Sequence, residues 1–352
     1  MMELEDLLQS DILRGLFGES GSSIPTYPIM LGYPIWAYHN KTGILAHEIM
    51  KDGKKHAAAQ LYVAKEYNLP FVVTYSDLNI IGEALGATLT YMPDVIPVHE
   101  IPAVITADEI EALETTDPRI DGRMPQIIET CKIFARKLER TNYILVGGVE
   151  GPITAAGSIW GMENLMRNMI KNPDLVHKVL EISTDSIIEF LNAQMEQGVD
   201  LIAIGDPSAS CTCISPKFFQ EFAVPNLKKI VRKVNSPAFM IHICGETFQI
   251  LKFLTRIRKI LAISVDIVDM KKAKEEFGKK FIVLMGNAST EIMRYGTPQQ
   301  VEQEAKRCIQ DAGGGGKFLL STSCDLAPKT PPDNIRAFLN AGKKYGTFPL
   351  EF

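Results

Sequence analysis

The 352-residue chain is 46% hydrophobic and 22% charged, with 42 acidic against 37 basic residues and a formal net charge of −5, which excludes a disordered or coiled-coil protein. A chain this long buries about three-quarters of its unfolded surface, so neither disulfides nor a structural metal is needed to hold it together. The lack of a long Lys/Arg block argues against nucleic acid or an anionic membrane as a partner.

The opening segment, MMELEDLLQSDILRGLFGES, carries acids where a secretory leader carries bases. No apolar run in the sequence approaches the roughly 18 residues of a membrane span, so a cytoplasmic protein is expected. In a reducing compartment the six cysteines read as metal ligands or reactive thiols rather than as a disulfide framework.

In chain order, short apolar runs at 70–74 (PFVVT), 143–149 (YILVGGV), 201–205 (LIAIG), 238–243 (AFMIHI), 260–265 (ILAISV), 281–285 (FIVLM) and 317–321 (KFLLS) predict seven strands. Residues 27–31 (YPIML) are a candidate eighth. Helix-length amphipathic stretches separate the later ones, such as 173–196 with Asp174 in its first turn and 270–277 behind a capping Asp269. This alternation predicts an α/β fold with a parallel sheet closed into a (β/α)8 TIM barrel, with a doubly wound open sheet as the second choice. One domain over 1–352 is expected. The weak strand signals between Gly86 and Leu138 read as an elaboration within the N-terminal region, 1–140.

Functional groups of such folds collect at the C-terminal ends of the strands, where this sequence places Asp77, Glu150, Asp206, His242, Cys244, Asp266, Asn287 and Cys324. In a strand, residues i and i+2 face the same side, so His242 and Cys244 can hold one metal. Cys324, after the last strand, is a third candidate, and three protein ligands with an open fourth position form the catalytic zinc pattern. The alternative is a satisfied strand histidine with two buried thiols. Cys211 and Cys213 form a competing same-face pair in a loop. Glu150, among glycines, is a candidate fourth ligand or proton-handling group, against a plain loop carboxylate. Asp206 before Pro207 reads as a substrate contact or a turn cap. The remaining histidines, His39, His47, His56, His99 and His177, receive no role. The run 313–316 is not a nucleotide-binding loop, lacking the Gly-Lys-Ser/Thr ending.

The succession GGVEGP (147–152), DPSAS (206–210), ISPKFF (214–219), HICG (242–245), VD (265–266), GN (286–287) and CDLAPKTP (324–331) resembles the uroporphyrinogen decarboxylase superfamily, and within it the corrinoid-dependent methyltransferase branch. The match is strong over 141–345 and weak before it. The resemblance implies a barrel that holds zinc through His242, Cys244 and Cys324. It implies methyl transfer between a small substrate at that zinc and the cobalt of a separate corrinoid protein docking at the barrel mouth. Glu150 and Asp206 are then candidate catalytic residues, and Asp266 and Asn287 candidate substrate contacts.

The decarboxylases carry two arginines in an N-terminal Pro-x-Trp segment. The corresponding residues 34–43 (PIWAYHNKTG) keep Pro34 and Trp36 but neither arginine. A substrate with eight carboxylates needs permanent bidentate cations, so decarboxylation is disfavoured. A non-catalytic zinc- or corrinoid-binding module is the remaining alternative. The segment 117–124 (DPRIDGRM) and the early chain look closer to members that demethylate a methylated donor than to those that methylate a thiol such as coenzyme M, and direction stays open.

Overall fold

The computed structural model describes residues 14–139, 143–278 and 282–351, and each of the seven apolar runs is an extended strand within it. Phe281, expected to open one of these strands, and the first thirteen residues of the acidic N-terminus lie outside the described residues. β1 (Phe71–Val73) precedes an antiparallel hairpin of β2 (Thr88–Thr90) and β3 (Val98–Ile101). Then follow β4 (Ile144–Glu150), β5 (Leu201–Gly205), β6 (Phe239–Glu246), β7 (Ile260–Ile267), β8 (Val283–Ala288) and β9 (Phe318–Thr322). The sheet order is β1-β4-β5-β6-β7-β8-β9, every neighbour parallel. These strands are near-continuous apolar runs because helices cover their outer face and the barrel interior their inner one.

The eighth stave comes from residues 25–31, which are too irregular to form a regular strand. Thr26 makes one parallel bridge to Leu320. Around it the Tyr27 N–H donates to the Leu320 carbonyl and the Leu320 N–H to that of Pro25, both at 2.9 Å. Toward β1 the same segment offers a side chain, the Tyr27 ring meeting that of Phe71 edge-on with centroids 5.2 Å apart. The sheet thus curls into a barrel that is open along one seam. Residues 25–31 and the strands together line a central cavity, including Ile29, Val73, Val146, Met240 and Met285.

Local chemistry explains the helix starts. Proline opens the helices Pro152–Trp160, Pro173–Met195, Pro298–Ala312 and Pro332–Tyr345, where the missing N–H is not needed. The expected cap is present at Asp269, whose side chain accepts from the Lys272 N–H at 3.0 Å. The segment between β1 and β4 is the expected elaboration, containing the hairpin and the helix Met124–Lys137. Among the described residues no helix is long and apolar enough to cross a membrane.

Candidate metal centre at the barrel mouth

Parallel register brings the first pair together: in the β6/β7 ladder His242 stands directly opposite Ser264. Both side chains line the cavity. His242 Nδ1 lies 2.9 Å from Ser264 Oγ, and Nε2 lies 3.0 Å from Cys244 Sγ. With Nδ1 protonated and held by the hydroxyl, the Nε2 lone pair faces the sulfurs, which is the tautomer a metal-binding imidazole needs. Cys324 arrives from beyond β9, its Sγ 3.1 Å from that of Cys244. The three donor atoms lie within 4.8 Å of one another.

Past Ile243 the β6 strand carries one extra residue relative to β7, a bulge that turns the strand where Cys244 and Gly245 sit. Gly245 has φ of +73°, and a Cβ there would meet Thr212 Oγ1 at 2.5 Å, so only glycine fits. Two contacts hold the bulge: the Gly245 N–H donates to Asp266 Oδ2 at 2.9 Å, and the Glu246 N–H to Thr212 Oγ1 at 3.1 Å.

One nitrogen and two sulfurs are a zinc donor set. The Nε2–Sγ and Sγ–Sγ spacings, 3.0 and 3.1 Å, are about 0.6–0.7 Å shorter than the roughly 3.6–3.8 Å of donors around a tetrahedral zinc. An outward shift of the three side chains by about half an ångström would fit the ion. The hydrogen bond from Cys244 holds the Cys324 thiol well below the usual thiol range. The same pairing and burial push Cys244 up, so one negative charge is shared between two sulfurs.

Except for Asp77, the other strand-end residues act first on backbone. Glu150 Oε1 accepts from the Ile81 N–H at 2.6 Å, on the helix following β1. Its Oε2 is buried without a partner, and burial lifts the carboxyl to about 7. Asp206 accepts from the Thr154 N–H and hydroxyl, both at 2.8 Å, and from the Ile153 N–H at 3.3 Å. It caps the helix Pro152–Trp160 after β4 rather than the turn that follows it, and burial raises it to about 6. Asn287 donates to the carbonyls of Asp266 and Val268, both at 2.9 Å. Asp77 is locked by Arg123, whose Nη1 and Nη2 donate at 2.8 and 3.0 Å, while the Arg123 Nε reaches Glu83.

Sequence reasoning missed Ser264 and Asp325. Ser264 was visible as the polar residue inside ILAISV, but its partner depends on register. Asp325 follows Cys324 and accepts from the N–H groups of Leu31 and Gly32 at 2.7 and 3.2 Å; burial pushes it up to about 7. Cys211 and Cys213 join no three-donor cluster among the described residues. Between them Thr212 buttresses the Gly245 bulge. The cavity below the cluster has room for about 60 Å³, walled by apolar side chains with Tyr27, Tyr75, His242 and Ser264.

Residues 10–345 match the uroporphyrinogen decarboxylase (URO-D) family. Methylcobamide:CoM methyltransferase MtaA of Methanosarcina barkeri is 32% identical over 279 residues, which cover 76% of this chain and 78% of that protein. Methylcobamide:CoM methyltransferase MtbA of Methanosarcina mazei is 32% identical over 284 residues, 79% of each. Uroporphyrinogen decarboxylase of Schizosaccharomyces pombe is more distant, at 25% over 303 residues. The solved structure of a methyltransferase from Methanosarcina mazei superposes with a TM-score of 0.81 at 28% identity, covering 96% of this chain and 99% of that one. The chain belongs to the URO-D family, on its corrinoid-dependent methyltransferase branch, and is an enzyme.

Proposed function

We propose that the protein moves a methyl group from a methylcobamide, carried by a separate corrinoid protein, to a small thiol held at a zinc ion bound by His242, Cys244 and Cys324. The carrying observation is the convergence of one imidazole and two thiols at the edge of an apolar barrel cavity. The CoM methyltransferases among the relatives support the thiol as acceptor. Within residues 117–124, which look closer to the demethylating members, Arg123 is committed to Asp77 and Glu83.

When bound, zinc supplies a thiophilic centre that lets a substrate thiol lose its proton near neutral pH. Ser264 fixes the His242 ring, and Asp266 fixes the Gly245 bulge and with it the direction of Cys244. Two thiolates moderate the charge of the ion, so a substrate sulfur stays electron-rich; polarising a methoxy oxygen in the reverse reaction asks for a stronger Lewis acid. Met240 and Met285 help keep water from the reacting sulfur. Transfer would form the sulfur–carbon bond as the cobalt–carbon bond breaks, its electron pair staying on the cobamide, after the thiol proton has left on binding to solvent or to a carboxylate. Glu150 is our candidate for proton handling, with its unpartnered Oε2. Asp206, Asp266 and Asn287 shape the mouth through the loops that they hold.

The corrinoid protein docks at the strands' C-terminal end in this reading, where Ile267, 61% exposed at the end of β7, offers an apolar contact. Decarboxylation is not favoured: in the segment that lacks the two arginines, Lys41 lies over the Tyr62 ring at 3.9 Å and His39 bonds the Ile44 carbonyl. The test is to mix the zinc-loaded protein with methylcobalamin and 2-mercaptoethanesulfonate and follow the cobalamin spectrum. Demethylation in the parent and its loss in Cys324→Ser is the expected result; equal rates in the two proteins overturn the assignment.

A further inference from the structure

At the opposite end of the barrel, the starts of β6 and β7 open onto a depression of about 630 Å³ between the helix Val224–Lys233 and the turn after the helix Phe248–Leu254. Its rim is cationic: Lys228, Arg232, Arg256, Arg258 and Lys259. Val231 and Ile257 form an apolar floor. A second depression of about 390 Å³ shares Arg256, Arg258 and Lys259 and extends the floor over Pro237 and Leu261. No carboxylate lines either one.

This concentration of positive charge stands out in a chain of net charge −5. Lys229 of the same helix is paired with Asp185 at 2.7 Å, whereas among the described residues Lys228, Arg232, Arg256 and Arg258 join no ion pair. The turn is firmly built. The N–H groups of Thr255, Arg256 and Ile257 donate to the Leu251, Phe253 and Leu254 carbonyls at 2.9, 3.2 and 3.0 Å. Lys259 takes φ of +64° while its Nζ donates to the Ser236 carbonyl at 3.2 Å. The two arginines are thereby held on either side of the buried Ile257. Complementing helix C-termini accounts for Arg232 and for Arg256. It does not account for Lys228, which lies before the last turn of its helix, nor for the convergence of all five cations on one hollow.

We propose that this hollow binds a small molecule bearing two or more phosphates, such as a pyrophosphate or a nucleoside polyphosphate. Guanidinium groups meet phosphate oxygens in pairs, the floor accommodates an apolar or planar part, and the volume is that of ordinary small-molecule sites, roughly 300–1,000 Å³.

The experiment is titration calorimetry on the full chain, with sodium pyrophosphate and with magnesium-free ATP as probes. Saturable binding that weakens as salt is raised is expected. The Arg256→Ala/Arg258→Ala pair and, from another element, Arg232→Glu should each weaken it about tenfold or more. Arg167→Ala, at an exposed pair elsewhere, should not, and thermal melts establish that each variant is folded. ATP binding more tightly than pyrophosphate supports a nucleotide ligand; equal binding supports recognition of the phosphates alone. No saturable binding of either probe, or unchanged affinity in both rim variants, overturns the proposal. So does binding of an acidic polypeptide such as polyglutamate with neither small anion, which would make the face a protein-docking surface.

Discussion

Ser264 Oγ lies 2.9 Å from His242 Nδ1 because β6 and β7 pair these two residues directly across the ladder. A hydroxyl that fixes the ring of a metal-binding histidine sets both its tautomer and its direction. Ser264→Ala should therefore lower zinc affinity by about 10–100-fold while leaving the fold intact. Competition for zinc against a coloured chelator measures this; unchanged affinity would show that the cavity walls alone orient the imidazole.

The two sulfurs should behave as a unit. Cys244→Ser and Cys324→Ser each remove a soft ligand from a three-donor set, so both are expected to lose zinc retention and methyl transfer together. Metal analysis after desalting, set beside the methylcobalamin assay, reads both in one preparation. A variant that loses metal but keeps full turnover would separate the site from the chemistry.

Asp206 serves three donors on the helix Pro152–Trp160 from a fully buried position. Asp206→Ala leaves those donors unsatisfied and should cost about 2–4 kcal/mol. Asp206→Asn keeps an acceptor and should cost less. The urea midpoint at neutral pH gives the comparison.

Burial raises Glu150 from 4.5 to about 7. Between those two values the folded chain keeps a proton that the unfolded chain has lost. Stability from this group is therefore present at low pH and falls as pH rises through 7. Glu150→Gln removes the titration, so its stability relative to the parent should improve from pH 5 to pH 8 by on the order of 2–3 kcal/mol. Denaturant unfolding at the two pH values checks the sign. A parent that gains stability over the same interval relative to the variant would contradict it.

The Arg123 side chain is 4% exposed and that of Asp77 0%, so removing only the cation strands a buried carboxylate. Arg123→Met is expected to cost about 3–5 kcal/mol, part of it recovered in Arg123→Met/Asp77→Leu. A double-mutant cycle by thermal unfolding measures the coupling.

The sequence made the strands legible because each is a short apolar run, and it exposed the candidate metal centre because His242 and Cys244 share a strand face. Cys324 lies 80 positions from Cys244, and no periodicity ties them; its place after the last strand made it a candidate, and the family resemblance strengthened the link. The strand-end carboxylates were harder to read. Glu150 finds its donor 69 positions away and Asp325 its donor 294 away, and those donors are backbone groups with no signature of their own. A buried Asp that latches a neighbouring loop and one that faces a substrate look alike until the staves stand side by side. Residues 25–31 were ambiguous for a related reason, since their backbone pairing is one-sided.

That one-sided pairing orders events along the growing chain. Residues 25–31 emerge early, yet the groups that hold them, Leu320, Thr322 and Asp325, are made near the end, as are Gly346 and Phe348, which bond Ile24 and Ser22. The candidate ligand Cys324 belongs to the same late stretch. Barrel closure and completion of the candidate His242–Cys244–Cys324 cluster therefore both depend on the same C-terminal stretch.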